Sequence, residues 1–191
     1  MKISLSLLIS LSLLTSLFFL AACKKEEANS PKILQVTSTT DISTIPSPMP
    51  DGASFKIKLV KDATHSDEVD FIFKQNFSPA YVFNEDALYF GAGGQASLSS
   101  ISSDGRDLAI NGLPYTSGMS IGLNVNTAVQ DGSFYLQNSY TSNIPANIHV
   151  WLKDAYLKDS VDILKVKYNF KMTQKDTNSL GSGRFKLIIG D

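Results

Sequence analysis

Met119-Ser120-Ile121-Gly122-Leu123-Asn124-Val125-Asn126 is the stretch that decides the fold of this chain. Its apolar side chains stand on every second residue, which is the period of a β-strand with one face buried and the other in solvent. The same alternation occurs at residues 55–59, 164–172 and 185–187. No window of about a dozen residues has the 3.6-residue period of an amphipathic helix. The chain is therefore predicted to be all-β.

Further short strands are predicted between turn signals. They cover residues 69–74, 87–90, 96–102, 108–110, 133–138 and 147–153. The predicted turns all contain glycine and are Asp104-Gly105, Asn111-Gly112, Asp131-Gly132 and Gly181-Ser182-Gly183. Short strands at regular spacing, each with one polar face, are typical of a sandwich of two antiparallel sheets. We expect one antiparallel β-sandwich domain over residues 53–191.

The N-terminus has the pattern of a lipoprotein signal peptide. Lys2 precedes an apolar segment that ends in Leu20-Ala21-Ala22-Cys23, and Cys23 is the only cysteine. This ending resembles the lipobox of bacterial lipoproteins, which implies removal of residues 1–22 and lipidation of Cys23. The alternative is an uncleaved transmembrane helix over residues 3–22. Acyl chains such as palmitate would then anchor the mature chain to the outer membrane.

The residues after Cys23 form a predicted tether with a charged start. Lys25, Glu26 and Glu27 resemble the surface-export signal of Bacteroidetes lipoproteins, although a solvated charged run would look the same. The stretch that follows is rich in serine, threonine and proline, a composition that favours extended, unpacked chain. We expect residues 23–52 to be a disordered linker that holds the domain away from the membrane, on the cell surface.

Several short segments within the domain resemble a β-rich module of gliding and type IX-secreting Bacteroidetes. They occur in the module's order, and they are Asn84-Glu85-Asp86-Ala87, residues 104–114, residues 132–136, Leu152-Lys153-Asp154 and residues 183–187. The module recurs in surface proteins, often near the ends of large adhesins. The resemblance implies a β-rich fold and adhesion, and it supplies no catalytic residues.

Catalytic and metal patterns are weak. Residues 118–122 spell the G-x-S-x-G of serine hydrolases, but the flanking pattern continues as a strand where that motif requires a turn into a helix. Gly91-Ala92-Gly93-Gly94 lacks the ending of a phosphate-binding loop. Acidic residues cluster in loops without the spacing of a calcium-binding EF-hand. We therefore expect no enzyme activity, no cofactor and no metal, with a structural calcium ion as the alternative for the acidic loops.

A binding surface is the more promising functional feature. On the predicted strand 147–153, Trp151 is out of phase with the apolar residues and shares a face with His149 and Lys153. Tyr135 is similarly out of phase on its own strand. The alternative is that a loop or neighbouring strand covers Trp151. A second predicted surface is a basic stripe suited to acidic glycans, formed by Lys56, Lys58, Lys165, Lys167, Lys171, Arg184 and Lys186.

These features together predict the function class. The chain has 17 basic and 18 acidic residues, and this balance gives no indication of nucleic-acid binding. We expect a membrane-anchored lipoprotein that binds a glycan or a surface protein without catalysing a reaction, in adhesion or as an envelope accessory. The alternative is a carbohydrate-binding lipoprotein for polysaccharide capture.

Overall fold

A computed structural model describes residues 49–91 and 93–191 of the chain. These residues form eleven β-strands and one short 3₁₀ turn, Thr177–Ser179, so the predicted all-β class is confirmed. The strands are β1 (Ala53–Val60), β2 (Ser66–Phe73), β3 (Ala87–Leu88), β4 (Ser97–Ile101), β5 (Asp107–Leu113), β6 (Met119–Asn126), β7 (Asp131–Ser142), β8 (His149–Asp154), β9 (Asp159–Asp162), β10 (Tyr168–Thr173) and β11 (Gly181–Gly190).

All eleven strands belong to one sheet, which differs from the predicted sandwich. Hydrogen-bonded neighbours follow the order β10-β7-β1-β2-β5-β4-β6-β11-β8-β9, and β3 pairs with β5 off this path. The prediction of purely antiparallel strands is wrong at one place, because β2 and β5 run parallel, with Asp70 opposite Ile110. A parallel pair cannot be joined by a tight hairpin, and the crossover from β2 to β5 here contains β3 and β4.

The two ends of the strand path approach each other, so the sheet is nearly closed and barrel-like. The Tyr168 hydroxyl on β10 donates a hydrogen bond to the Asp154 carboxylate on β8 at 3.2 Å. The rings of Phe170 on β10 and Phe185 on β11 meet edge to face, with centroids 4.9 Å apart. The apolar side chains that point inward from the strands fill the inside of the curved sheet and form a single core cluster.

Some predicted turns and strands lie elsewhere. Residues 164–167, predicted to begin a strand, form a turn because the main-chain carbonyl of Asp162 accepts hydrogen bonds from the amides of Lys165 and Val166. Asn111-Gly112, predicted as a turn, lies inside β5. A side chain at Gly112 would approach the backbone oxygen of Glu85 to 2.9 Å, so the glycine is required for close packing. Asp131-Gly132 begins β7, and residues 181–183 begin β11 at an irregularity in its pairing with β6.

The described fold starts before the predicted domain boundary at residue 53. Met49 is buried in the core, and the Asp51 carboxylate accepts a hydrogen bond from the amide of Gln75 at 2.9 Å. The predicted signal peptide, Cys23, Lys25, Glu26 and Glu27, and the linker up to residue 48, lie outside the described residues. Within residues 49–91 and 93–191, no helix is long and apolar enough to cross a membrane.

Candidate binding surface around Trp151

Strand β8 places its residues as the alternation predicts. Val150 and Leu152 are buried in the core, whereas His149, Trp151 and Lys153 point outward. Trp151 is the only tryptophan of the chain, and it is 40% exposed, whereas tryptophan is highly buried on average. Among the described residues, no loop or strand covers it fully, and its outward orientation on β8 agrees with the predicted strand phase. Its exposed ring is available to a ligand.

The Trp151 ring stacks on a histidine that polar contacts hold in place. The imidazole of His149 stacks on the indole, with ring centroids 5.6 Å apart and an interplanar angle of 26°. His149 Nδ1 lies 2.8 Å from Asp162 Oδ2 on β9, and Lys165 Nζ lies 3.0 Å from the same oxygen. Burial alone would raise the pKa of Asp162, but the hydrogen bonds from His149 and Lys165 outweigh it and hold that pKa below its ordinary value. Asp162 is therefore an ionised carboxylate that orients His149, which in turn stacks on Trp151.

Tyr135 lies apart from this cluster. It points outward from β7, which pairs with β1 and β10 and not with β8. The ammonium of Lys167 lies 5.1 Å from the centre of the Tyr135 ring, in a cation–π contact. The turn between β9 and β10 thus contacts both groups of residues, since Lys165 pairs with Asp162 and Lys167 lies over the Tyr135 ring. The structure brings Trp151, His149 and Lys153 onto one strand face, and it does not bring Tyr135 into direct pairing with them.

A groove lies on the outer face of the sheet, and Trp151 borders it through its neighbour Ile188 without being one of its lining residues. Ile188 of β11 lies opposite Trp151 on one side and opposite Ser120 of β6 on the other. In the next row, Lys186 of β11 lies opposite Lys153 and Gly122. The groove has a volume of about 630 Å³, and the β8–β9 turn forms one of its walls. The small residues Ser120 and Gly122 of β6 lie beside the larger Ile188 and Lys186 of β11, and this difference in size creates the depression.

The predicted basic stripe is only partly present. Arg184 was predicted to face solvent, and this is wrong, because its side chain is fully buried and paired with Asp154 at 2.9 Å. Two of the lysines are neutralised locally, since Lys56 Nζ lies 3.0 Å from Asp70 and Lys165 pairs with Asp162. The pKa of Lys56 is raised above its ordinary value, mainly by its hydrogen bond with Asp70. The stripe is therefore interrupted, and Lys186 is the member that faces the groove.

The serine of the hydrolase-like motif lies within a strand. Gly118, with a φ of 78°, forms the turn before β6, and Ser120 follows inside that strand. The strained strand-to-helix turn that exposes a nucleophilic serine is not found at this place. The other histidine, His65, pairs with Asp62 in an exposed turn at 2.8 Å. The glycines 91, 93 and 94 lie in the connection between β3 and β4.

The acidic loops use their oxygens within the fold. Asp62 accepts hydrogen bonds from the amides of Thr64 and His65, and Asp154 accepts those of Tyr156 and Leu157. Asp86 accepts a bond from the amide of Gly112 at 2.8 Å. Within the described ranges, no group of three or more histidine, cysteine, aspartate or glutamate residues is placed to hold a metal ion.

The sequence did not single out two exposed phenylalanines. Phe83 and Phe90 are 81% and 87% exposed, on either side of β3. The turn at Phe83 is built by hydrogen bonds from the amides of Glu85 and Asp86 to the carbonyl of Val82. Apolar and polar residues do not alternate in the segment around them, so the sequence pattern could not show that these two side chains point outward.

Comparison with known proteins adds no assignment. No family model matches the chain, and neither a curated protein nor a solved structure is significantly similar to it. The resemblance of its short segments to the module of gliding Bacteroidetes stays a prediction. The function therefore has to be argued from the surface itself.

Proposed function

We propose that this chain is a non-catalytic lipoprotein, anchored by lipid at Cys23 to the outer membrane, whose β domain binds a ligand in adhesion or as an envelope accessory. The anchor is supported by the sequence Leu20-Ala21-Ala22-Cys23. Surface exposure is supported by Lys25, Glu26 and Glu27 and by the proline-rich segment after them. The domain would act outside the membrane on a glycan or on a surface protein.

The exposed Trp151 is the observation that carries the binding role. A large aromatic side chain at solvent exposes apolar area that a partner can cover, and tryptophan is enriched among the residues that dominate binding energy. Its ring is positioned in advance by His149 and Asp162, so little side-chain freedom remains to be lost on binding. The non-catalytic part is supported by the position of Ser120 within β6.

Polysaccharide capture is the second candidate function, and one observation favours it. The groove of about 630 Å³ is lined by Ile188, the cross-strand neighbour of Trp151, and is open to solvent, as a site for an extended chain of sugars would be. An indole face next to a groove can stack on the apolar face of a sugar ring. A flat partner protein would use Trp151 without needing the groove.

The test is a binding panel of immobilised glycans and surface-matrix proteins, probed with the full chain in non-ionic detergent. We expect the wild-type chain and Trp151→Phe to be retained on the same ligand, and Trp151→Ala to be released, since a ring is needed at this position. Circular dichroism of each variant checks that the fold is kept. Equal retention of Trp151→Ala and wild type on every ligand that binds would contradict the proposal.

A further inference from the structure

Two lysines face each other across the floor of the groove. Lys153 of β8 and Lys186 of β11 are directly opposite in the antiparallel register, and both are exposed on the outer face. Side chains in this relation start from Cβ atoms only about 5 Å apart. Like charges at such positions destabilise a sheet. The fold therefore tolerates an unfavourable contact at this place.

A third lysine adds to the charge of the groove. Lys158 lies at the end of the β8–β9 turn and lines the groove. Its φ is 57°, a value that residues other than glycine seldom adopt. In the part of the chain that the structure describes, no carboxylate lies within 4 Å of the ammonium groups of Lys153, Lys158 or Lys186. Asp159 is the exposed carboxylate on the lining. Asp154 and Arg184, also on the lining, neutralise each other. The groove is thus cationic, with three lysines and one free acid.

The groove also contains an unsatisfied hydroxyl. Ser160 of β9 lies in the same cross-strand row as Lys153, and its Oγ is buried without a hydrogen-bond partner among the described residues. A buried polar atom without a partner is costly. A bound molecule would reach this oxygen only after the Ser160 side chain rotates toward the groove. The cationic groups on the floor thus lie next to Ile188, and Trp151 is the cross-strand neighbour of Ile188 at the border of the groove.

We propose that this groove binds an acidic oligosaccharide, with a sugar ring on Trp151 and its carboxylate or sulfate groups on Lys153, Lys186 and Lys158. Charge complementarity identifies the acidic groups, because an anion between Lys153 and Lys186 converts their repulsion into two favourable contacts. The apolar row of Trp151 and Ile188 identifies the sugar, since a bare inorganic anion would make no use of it. This inference rests on the second candidate function above and names its ligand class.

The experiment uses the fluorescence of Trp151, which reports on this site alone because the chain has no other tryptophan. The full chain in non-ionic detergent is titrated with a heparin-derived hexasaccharide and, separately, with neutral maltohexaose. We expect a saturable change in emission with the acidic sugar only, weakening as salt rises from about 50 to about 500 mM. Lys153→Gln with Lys186→Gln should reduce affinity by about tenfold or more.

A matched control carries the same charge change outside the groove. Lys171→Gln with Lys175→Gln removes two exposed lysines, and we expect it to leave affinity within about twofold of wild type. The groove variant should keep or raise the thermal midpoint, because it removes a like-charge pair, and this separates lost binding from lost folding.

Other results would overturn the inference in distinguishable ways. Equal losses in both double variants would show binding by overall charge. Equal responses to both sugars would exclude selectivity for acidic groups, and so overturn the inference, but would leave polysaccharide capture standing. A response to phosphatidylglycerol in mixed detergent micelles, without one to the hexasaccharide, would assign the groove to a lipid headgroup. No response to any of the three, with protein ligands still retained on the panel, would overturn the inference and leave the binding role intact.

Discussion

At the scale of single residues, Arg184 links strands near the two ends of the sheet. Its guanidinium is enclosed near the place where the ends of the sheet meet, and it donates to the Asp154 carboxylate of β8 and to the main-chain carbonyl of Lys171 on β10 at 2.7 Å. Two aromatic rings, Phe170 and Phe185, lie 4.7 Å from its central carbon. The arginine thereby joins strands that no ladder of backbone hydrogen bonds joins.

Removing Arg184 should therefore be severe. Arg184→Ala leaves the buried Asp154 without a counter-charge, and we expect a loss of about 3–5 kcal/mol in the free energy of unfolding. The control is Lys186→Ala, two residues along β11 and exposed, with an expected change within about 0.5 kcal/mol. Urea denaturation followed by circular dichroism measures both. A similar small loss of stability in the two variants would show that the Arg184–Asp154 ion pair does not hold β10 against β8 and β11.

Asp162 should make stability depend on acid. Its folded-state pKa is lowered, so its contribution is present above the unfolded-state pKa of about 3.9 and is lost as pH falls through the lower folded-state value. We expect Asp162→Asn to be less stable than wild type at pH 6, and the difference to shrink as pH falls below about 4. Thermal unfolding of both proteins from pH 6 to pH 3 checks this. A difference that stays constant with pH would contradict it.

At the scale of elements, β8 separates the fold from the proposed function. Val150 faces the core and Trp151 faces solvent on consecutive positions. We expect Val150→Ala to destabilise the protein by about 1–3 kcal/mol through the cavity it leaves, whereas Trp151→Ala should cost less stability and weaken binding. Chemical melts rank the two variants. If Trp151→Ala proves the more damaging of the pair, the indole acts mainly in packing.

Strand phase was predictable from sequence where alternation is regular, and strand partners were not. The outward positions of His149, Trp151 and Lys153 follow from the local pattern, because a strand turns each successive side chain to the opposite face. Arg184 was misplaced because the pairing irregularity at the start of β11 lets both Arg184 and Phe185 point inward.

The groove could not have been derived from any one strand. Lys153 and Lys186 are far apart in sequence and meet only because β8 and β11 pair in one register. The turn at residues 164–167 was equally hidden, since it depends on hydrogen bonds to Asp162 that the apolar alternation of that segment does not reveal.

At the scale of the whole molecule, the predicted anchor and export signal can be tested together. We expect the wild-type chain to incorporate labelled palmitate and Cys23→Ala to incorporate none, because the thiol is the attachment point. Protease added to intact cells should release the domain from the wild-type chain. Changing Lys25, Glu26 and Glu27 to alanine should protect it.

Each part of this prediction has its own contrary result. An unlabelled wild-type chain would overturn the lipoprotein proposal. Equal protection of the wild-type chain and the triple variant from protease would place the domain on the inner side of the outer membrane. A fold check on released material is supplied by the Trp151 emission.

The central position of β1 has a mechanical consequence for a tethered binding protein. Chain from the N-terminal side enters the sheet at Ala53, and β1 pairs with β2 from Ala53 to Val60 and with β7 from Ser54 to Val60. Tension pulling along β1 would load both ladders in shear, so that their hydrogen bonds must break together and not one after another. An attachment strand at the edge of the sheet would peel. If the proposed tether and a ligand in the groove pull on the domain from opposite sides, β1 would resist that force where it enters the sheet.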